Sequence, residues 1–316
     1  MEQKRIYAID FMKFVAVLFI TNSHSIELYK DINPALATLG VHGNAIFFFV
    51  SGFTLALKDL SNTNFINFYK KRLSRIYPTL IVWPIIANLF FQEPITWDSI
   101  LLAKGYWFIQ CILYSYILLF FLLKQNTKFI CTSFFISIFI TTIVVCFSAK
   151  SNLSIYHSFH YVCYFSSMIL GIYCSRLKVQ ISKYGWLYTI LSFIAYFIIM
   201  SFGKNQSTYI YYSQLLAIVP LHLFLYYMFL WCNSWGNNLE GKIYYKPIYW
   251  IGNLCLEIYI VQNFLFTDTL NNIFPLNILI VFIGIFLCAY ILHICTNFFI
   301  QTIQVNPYNI KKILAI

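Results

Sequence analysis

Ten stretches of mostly apolar residues, separated by short polar connections, organise this chain: 6–26, 38–57, 76–91, 106–123, 129–147, 159–174, 184–203, 209–231, 248–266 and 276–300. A helix needs about 20 apolar residues to cross a hydrocarbon layer of about 30 Å, and most of these stretches reach that length or approach it. The pattern predicts an all-α membrane protein with about ten transmembrane helices. Trp97, Trp107, Trp186, Trp235 and Trp250 lie close to the predicted ends, where an interfacial aromatic belt belongs. The longest connections, 58–75 and 232–247, are too short for a folded insert. Residues 1–316 are therefore expected to form one integral-membrane domain with no separate soluble domain.

Composition agrees with the pattern. Hydrophobic residues make up 60% of the 316, aromatic residues 21% and charged residues 10%, with mean hydropathy +0.73. A soluble globule carries about 25% charged residues, so this chain cannot cover a water-facing surface of that size. A soluble enzyme, a disordered chain and a disulfide-stapled secreted module are excluded. The nine cysteines are scattered, mostly inside apolar runs, with no Cys-x-x-Cys pair, and read as small buried hydrophobes.

The formal net charge of +11 would suit a nucleic-acid partner if it formed a surface patch, but its placement argues otherwise. With an even number of spans, sixteen Lys and Arg residues fall on the side of the termini, and only Lys30, Lys104, Lys150 and Lys204 fall on the other. That asymmetry is the positive-inside signal of a helical membrane protein, so both termini are expected in the cytoplasm and no nucleic acid is expected as partner. Lys4 and Arg5 before an apolar stretch resemble a signal peptide. Asp10 and Lys13 interrupt that stretch and no Ala-x-Ala site follows, so it is read as an uncleaved first helix.

Ionisable residues at membrane depth are costly and usually face a cavity or a partner. The first span holds three: Asp10, Lys13 and His24. At about 100° per residue, Lys13 and His24 lie within about 20° of each other, and about 16 Å apart along the axis; Asp10 lies about 60° from Lys13. The three form one polar stripe. Two plainer roles stand beside a functional one: a self-neutralising i,i+3 pair for Asp10 and Lys13, and an interfacial histidine for His24. Glu257 is the other buried charge, with Lys13, His24 or nearby hydroxyls as candidate partners. His222 and His293 sit among apolar residues without an i,i+4 metal partner, and His157 with His160 has no neighbouring carboxylate, so no metal site is expected.

Two further motifs carry chemistry. The basic connection from Phe68 to Pro78 holds Lys70, Lys71, Arg72 and Arg75, and enters the third span at Tyr77. Arg72 and Arg75 would share a helix face, ready for bidentate phosphate recognition, although a topology signal for anionic lipid needs no more than their charge. Ser51-Gly52 puts two small residues in an aromatic-rich helix, which suits close helix packing. Gly-x-Ser-x-Gly is absent, so Ser51 is no nucleophile elbow.

Taken in order, these motifs resemble acyltransferase family 3, the polytopic membrane O-acyltransferases that modify sugars and other surface molecules. Ile9-Asp-Phe-Met-Lys13 followed by His24 resembles the family's Arg/Lys-x10-His pattern, and Phe47 to Phe53 its Phe-Phe-x-x-Ser-Gly-Phe/Tyr signature. Arg72-Leu-Ser-Arg-Ile-Tyr-Pro78 resembles its Arg-x-x-Arg-Ile-x-Pro, and Tyr106 to Ile109 and Ile251 to Val261 its later signatures. Many relatives have Arg where this chain has Lys13, and a histidine where it has Gln262. The resemblance implies transfer of an acetyl group from acetyl-CoA to a hydroxyl of a cell-surface glycan or lipid-linked sugar, in a bacterial cytoplasmic membrane. It makes His24 the general base, with Lys13, Asp10 and Glu257 beside it in the catalytic set. It makes Arg72, Arg75, Lys71, Tyr77, Ser51 and Trp107 candidates for the donor site. The rival expectation is a multi-span transporter or flippase of a glycan or lipid-linked substrate, in which the same stripe would line a path.

Overall fold

A computed structural model describes residues 5–151, 155–177, 184–202, 209–304 and 307–316, and among them helices are the regular structure. The helices are α1 (Tyr7–His24), α2 (Gly40–Ala56), α3 (Phe65–Phe91), α4 (Trp97–Leu101), α5 (Trp107–Leu123), α6 (Thr127–Ser151), α7 (Ile155–Arg176), α8 (Gly185–Phe202), α9 (Tyr209–Trp235), α10 (Tyr245–Asn253), α11 (Cys255–Val261), α12 (Leu276–Ile303) and α13 (Ile310–Leu314). Among the described residues, six helical segments are long and apolar enough to cross a membrane: Pro34–Ala56, Phe65–Phe91, Thr127–Val144, Gly185–Phe202, Leu215–Leu239 and Leu276–Ile303; α5 is a shorter apolar helix.

Two predicted spans differ from the helices found. The third begins eleven residues earlier than its apolar run, at Phe65 instead of 76, so the basic connection is the first turns of α3 and not a loop. Asn64 caps that start, its side-chain oxygen accepting from the Asn67 N–H at 2.8 Å. Gln92 ends the helix in the left-handed region at φ 57°. The ninth, 248–266, is not one helix. It breaks at Leu254 into α10 and α11, after Gly252 and Asn253, two poor helix formers. The Asn253 amide donates back to the Tyr249 carbonyl at 3.0 Å.

The outward faces carry the solvent argument. On α12, Leu279, Ile283, Leu287 and Ile291 recur every four residues and are 48–59% exposed, while Asn277, Val281, Ile285, Ala289, Leu292 and Thr296 face inward. Phe135 and Phe139 on α6 are each 64% exposed. Water would penalise such stripes, whereas hydrocarbon takes them at no cost, and each helix satisfies its own backbone polar groups.

The chain falls into two compact units, each assembled from separate stretches. The first comprises Met1–Lys13, Asn44–Asn62 and Ile117–Tyr245. Here α6 packs on α7, and α8 and α9 pair closely. The α2 and α7 backbones cross so tightly that a Cβ on Gly52 would overlap the Met168 carbonyl, and one on Gly171 the Phe49 carbonyl. This close approach accounts for the small residue at Gly52. Gly52→Ala is expected to destabilise the protein by roughly 1–3 kcal/mol, since backbone must shift to admit the methyl group; thermal unfolding in detergent checks it. Arg176 at the end of α7 donates to the carbonyls of Leu123 and Gln125, closing the C-terminus of α5.

The second unit comprises Phe14–Gly43, Thr63–Tyr116 and Lys246–Ile316. Its helices α3, α11 and α12 pack together. At the end where α1 stops and α12 begins, Lys30 pairs with Asp268 at 2.8 Å and the Asn277 amide donates to the Leu28 carbonyl at 3.0 Å. At the other end of α12 the C-terminal segment is held by donors from the bundle: Tyr290 to Leu314, Asn297 to Ile313 and Tyr249 to Ile316.

Candidate functional site

The second unit gathers most of the chemistry the sequence singles out. On α3 the buried residues Phe68, Arg72, Ile76, Thr79, Leu80, Trp83 and Ala87 form one face. Arg72 and Trp83 lie eleven residues apart, three turns almost in register, so they share that face about 16 Å apart. Arg72 is only 6% exposed, with its guanidinium 5.1 Å from the Phe68 ring centroid. Its Nε has no hydrogen-bond partner and no carboxylate stands in ion-pair range, among the described residues. Burying a charge unpaired costs several kcal/mol, and a cation–π contact of about 2 kcal/mol does not offset that.

Arg75 and Lys71, on neighbouring faces, are exposed. Tyr77 spends its hydroxyl on the Leu101 carbonyl at 2.7 Å, tying α4 to α3. Trp107 begins α5, half-buried, with its ring 6.1 Å from Phe108.

At the Trp83 end of the face, Trp83 stands within hydrogen-bonding reach of the Tyr106 hydroxyl. Tyr106 lies 6.3 Å from Tyr259 by ring centroids, and Tyr259 lies 6.3 Å from His24. Phe264 packs edge-on to Trp83 at 5.1 Å. Thus α1, α3, α5 and α11 together bring a buried arginine, an aromatic row and a half-buried histidine into one unit. Beside this row sits Gln262, fully buried, with neither amide atom hydrogen-bonded among the described residues. Leaving a buried polar atom unmade costs about 1–3 kcal/mol, so such groups call for a reason.

The remaining candidates take other places. Asp10, in the first unit, is a hub: Arg5 Nε donates to its carboxylate at 3.0 Å, the Tyr245 hydroxyl at 2.6 Å, and Lys13 Nζ stands at 3.5 Å. The i,i+3 pair on α1 is therefore part of a network in which one carboxylate serves two cations and a phenol, with Arg5 and Tyr245 as partners that the helical spacing did not reveal. Burial and the bond to Asp10 hold the Tyr245 phenol above its ordinary range. Ser51, also in the first unit, precedes the Gly52 crossing, and its carbonyl accepts from the Thr54 hydroxyl at 3.2 Å.

Glu257 pairs with His293, Oε1 to Nδ1 at 3.1 Å, and His293 Nε2 lies 3.0 Å from the Ala315 carbonyl. This chain of contacts secures the C-terminal segment, with His293 as the partner that spacing could not reveal. Glu257→Gln is expected to loosen that segment and speed its removal by carboxypeptidase, with a stability loss of about 1.5–3 kcal/mol for a charge-assisted bond. His222 is a satisfied core histidine, its Nε2 at 2.8 Å from Ser166 Oγ and its Nδ1 at 2.9 Å from the Ile218 carbonyl. The side chains of His157 and His160 lie outside the described residues. Among the described residues no group of three His, Cys, Asp or Glu side chains is placed to hold a metal ion.

The long apolar helices and their lipid-suited outer faces make this an integral-membrane protein. The family model described as an acyltransferase domain, acyltransferase 3, matches residues 6–294, nearly the whole chain. The chain belongs to the acyltransferase 3 family. No curated protein and no solved structure gives a match to it.

Proposed function

We propose that this membrane acyltransferase transfers an acetyl group from acetyl-CoA to a hydroxyl of a cell-surface glycan or its lipid-linked sugar precursor. The observation that carries the reading is Arg72: a residue 6% exposed, whose Nε has no hydrogen-bond partner and which has no carboxylate in ion-pair range among the described residues, on the same α3 face as Trp83. A phosphorylated donor supplies the missing anion, and an arginine matches phosphate bidentately. Arg75 and Lys71 would add charge at the entrance. An extended carrier arm running along α3 would bring its thioester towards the Trp83 end.

There, neutral His24 accepts the proton of the acceptor hydroxyl as its oxygen attacks the thioester carbonyl. The tetrahedral intermediate then expels the CoA sulfur, which takes that proton, and the acetyl ester forms. General-base help of this kind contributes about 10²–10⁴ in rate. In this scheme Asp10 and Lys13 set the electrostatics along α1. Ten membrane crossings with both termini in the cytoplasm place the basic start of α3 on the donor's side, as the positive-inside asymmetry supports, and a bacterial cytoplasmic membrane is the proposed location.

Membranes containing the protein, given acetyl-labelled acetyl-CoA and a surface-glycan extract, are expected to move label into alkali-labile ester on the glycan. Label that stays on the donor with every glycan and lipid-linked sugar offered would overturn the proposal.

A further inference from the structure

We infer that Gln262, one helical turn from Tyr259, is the positioning residue of a sugar subsite beside His24. This rests on the acyl-transfer reading for its purpose but not for its observations. Gln262 is 0% exposed, yet its amide donor and its amide acceptor both lack hydrogen-bond partners among the described residues. It follows α11 directly, three residues after Tyr259, so the two side chains are neighbours one helical turn apart. Tyr259 is the ring that meets His24 at 6.3 Å. Two residues beyond Gln262, Phe264 packs on Trp83 at 5.1 Å. Thr21, one turn before His24 on α1, is likewise fully buried with its hydroxyl unpartnered among the described residues.

The chemistry of the missing ligand follows from these groups. An amide that is short of both a donor and an acceptor suits a neutral group that is itself both, and a hydroxyl is the smallest such group. A phosphate would satisfy the amide N–H and leave the amide oxygen facing another acceptor. The rings of Trp83 and Tyr259 are 5% and 8% exposed, turned inward, whereas Phe90 and Trp97 are each 77% exposed to the surroundings. Inward aromatic faces beside a two-way hydrogen-bonding amide match a pyranose, whose C–H faces are apolar and whose rim is hydroxyl. A secondary amide on the donor's carrier arm has the same hydrogen-bonding character, so the experiment must separate acceptor from donor.

The full-length protein, purified in a detergent that carries no sugar, is titrated with methyl glycosides while its tryptophan emission is followed. Saturable quenching is expected in the wild type, and a loss of apparent affinity of tenfold or more in Gln262→Leu. That variant removes a buried unpartnered amide, so its melting temperature is expected to hold or rise, which separates lost binding from lost fold. Gln262→Glu, which keeps an acceptor, is expected to recover part of the affinity. In transfer assays Gln262→Leu is expected to raise the acceptor KM tenfold while leaving the donor KM within twofold. A raised donor KM with normal glycoside binding would overturn the proposal, as would unchanged binding in Gln262→Leu or no quenching by any glycoside in the wild type. Intact glycoside binding without acetyl transfer would count against the acetyl-CoA reading and leave the subsite standing.

Discussion

Arg72→Met is expected to raise the donor KM by at least tenfold while leaving the protein as stable as before, or more so. The two effects separate because they have different origins. In the free protein the guanidinium is buried without a carboxylate partner among the described residues, so removing it relieves a desolvation cost; methionine fills a similar volume against Phe68. In the donor complex the same group would make charge-assisted bonds, each worth about 1.5–3 kcal/mol, which corresponds to roughly 10–100-fold in affinity. Arg72→Lys keeps the charge but not the planar fork, and an intermediate KM is expected. Arg75→Ala, at an exposed position, is expected to change the donor KM only a few-fold. Steady-state kinetics in acetyl-CoA with parallel thermal unfolding measure all of this. If Arg72→Met lowers the melting temperature and spares the donor KM, Arg72 is a structural cation and not a phosphate ligand.

His24→Gln is expected to lower kcat by about 10²–10⁴ with donor binding intact, the loss that removing a general base produces. Glutamine keeps a polar side chain at the end of α1 but cannot take a proton at neutral pH. Little stability should be lost, because His24 is half-buried and meets the Tyr259 ring edge-on. Single-turnover label transfer, together with direct measurement of CoA binding, distinguishes slow chemistry from failed binding. Transfer at the wild-type rate would remove His24 from the mechanism.

Much of this was legible along the chain because the cost of burying or exposing a side chain is largely local. A membrane crossing is a run of residues, so the apolar stretches could be counted without knowing what they pack against. Lys13 and His24 sharing a stripe followed from the helical repeat alone, and α1 is helical from Tyr7 to His24. The same locality explains two failures. Four cations in 70–75 interrupt the apolar run, so hydropathy started the third span at 76, although α3 begins at Phe65. Hydropathy does not register a helix that buries one cation and exposes its neighbours. In 248–266 the apolar content ran on past Leu254, where the backbone did not.

The candidate site was legible only in part. His24 stood out because an ionisable residue at membrane depth is conspicuous in any sequence, and Arg72 because it stands in a basic connection beside Arg75. Trp83 did not, and Tyr106 and Tyr259 were marked only by the family resemblance of their segments, since among 65 aromatic residues nothing local marks the few that turn inward. Glu257 was conspicuous, but its partner His293 is 36 residues away, on another helix.

The sequence by itself determined the class of solvent, the helical fold and the family, because hydrophobic transfer and motif order are properties of the chain read in line. The tertiary structure alone decided which charges are neutralised and which are left waiting. Asp10 and Glu257 found partners in Tyr245 and His293, while Arg72 Nε and the Gln262 amide were buried with no hydrogen-bond partner among the described residues. Whether a buried polar atom is satisfied depends on what other segments bring within about 3 Å of it, and that is settled only when the helices pack.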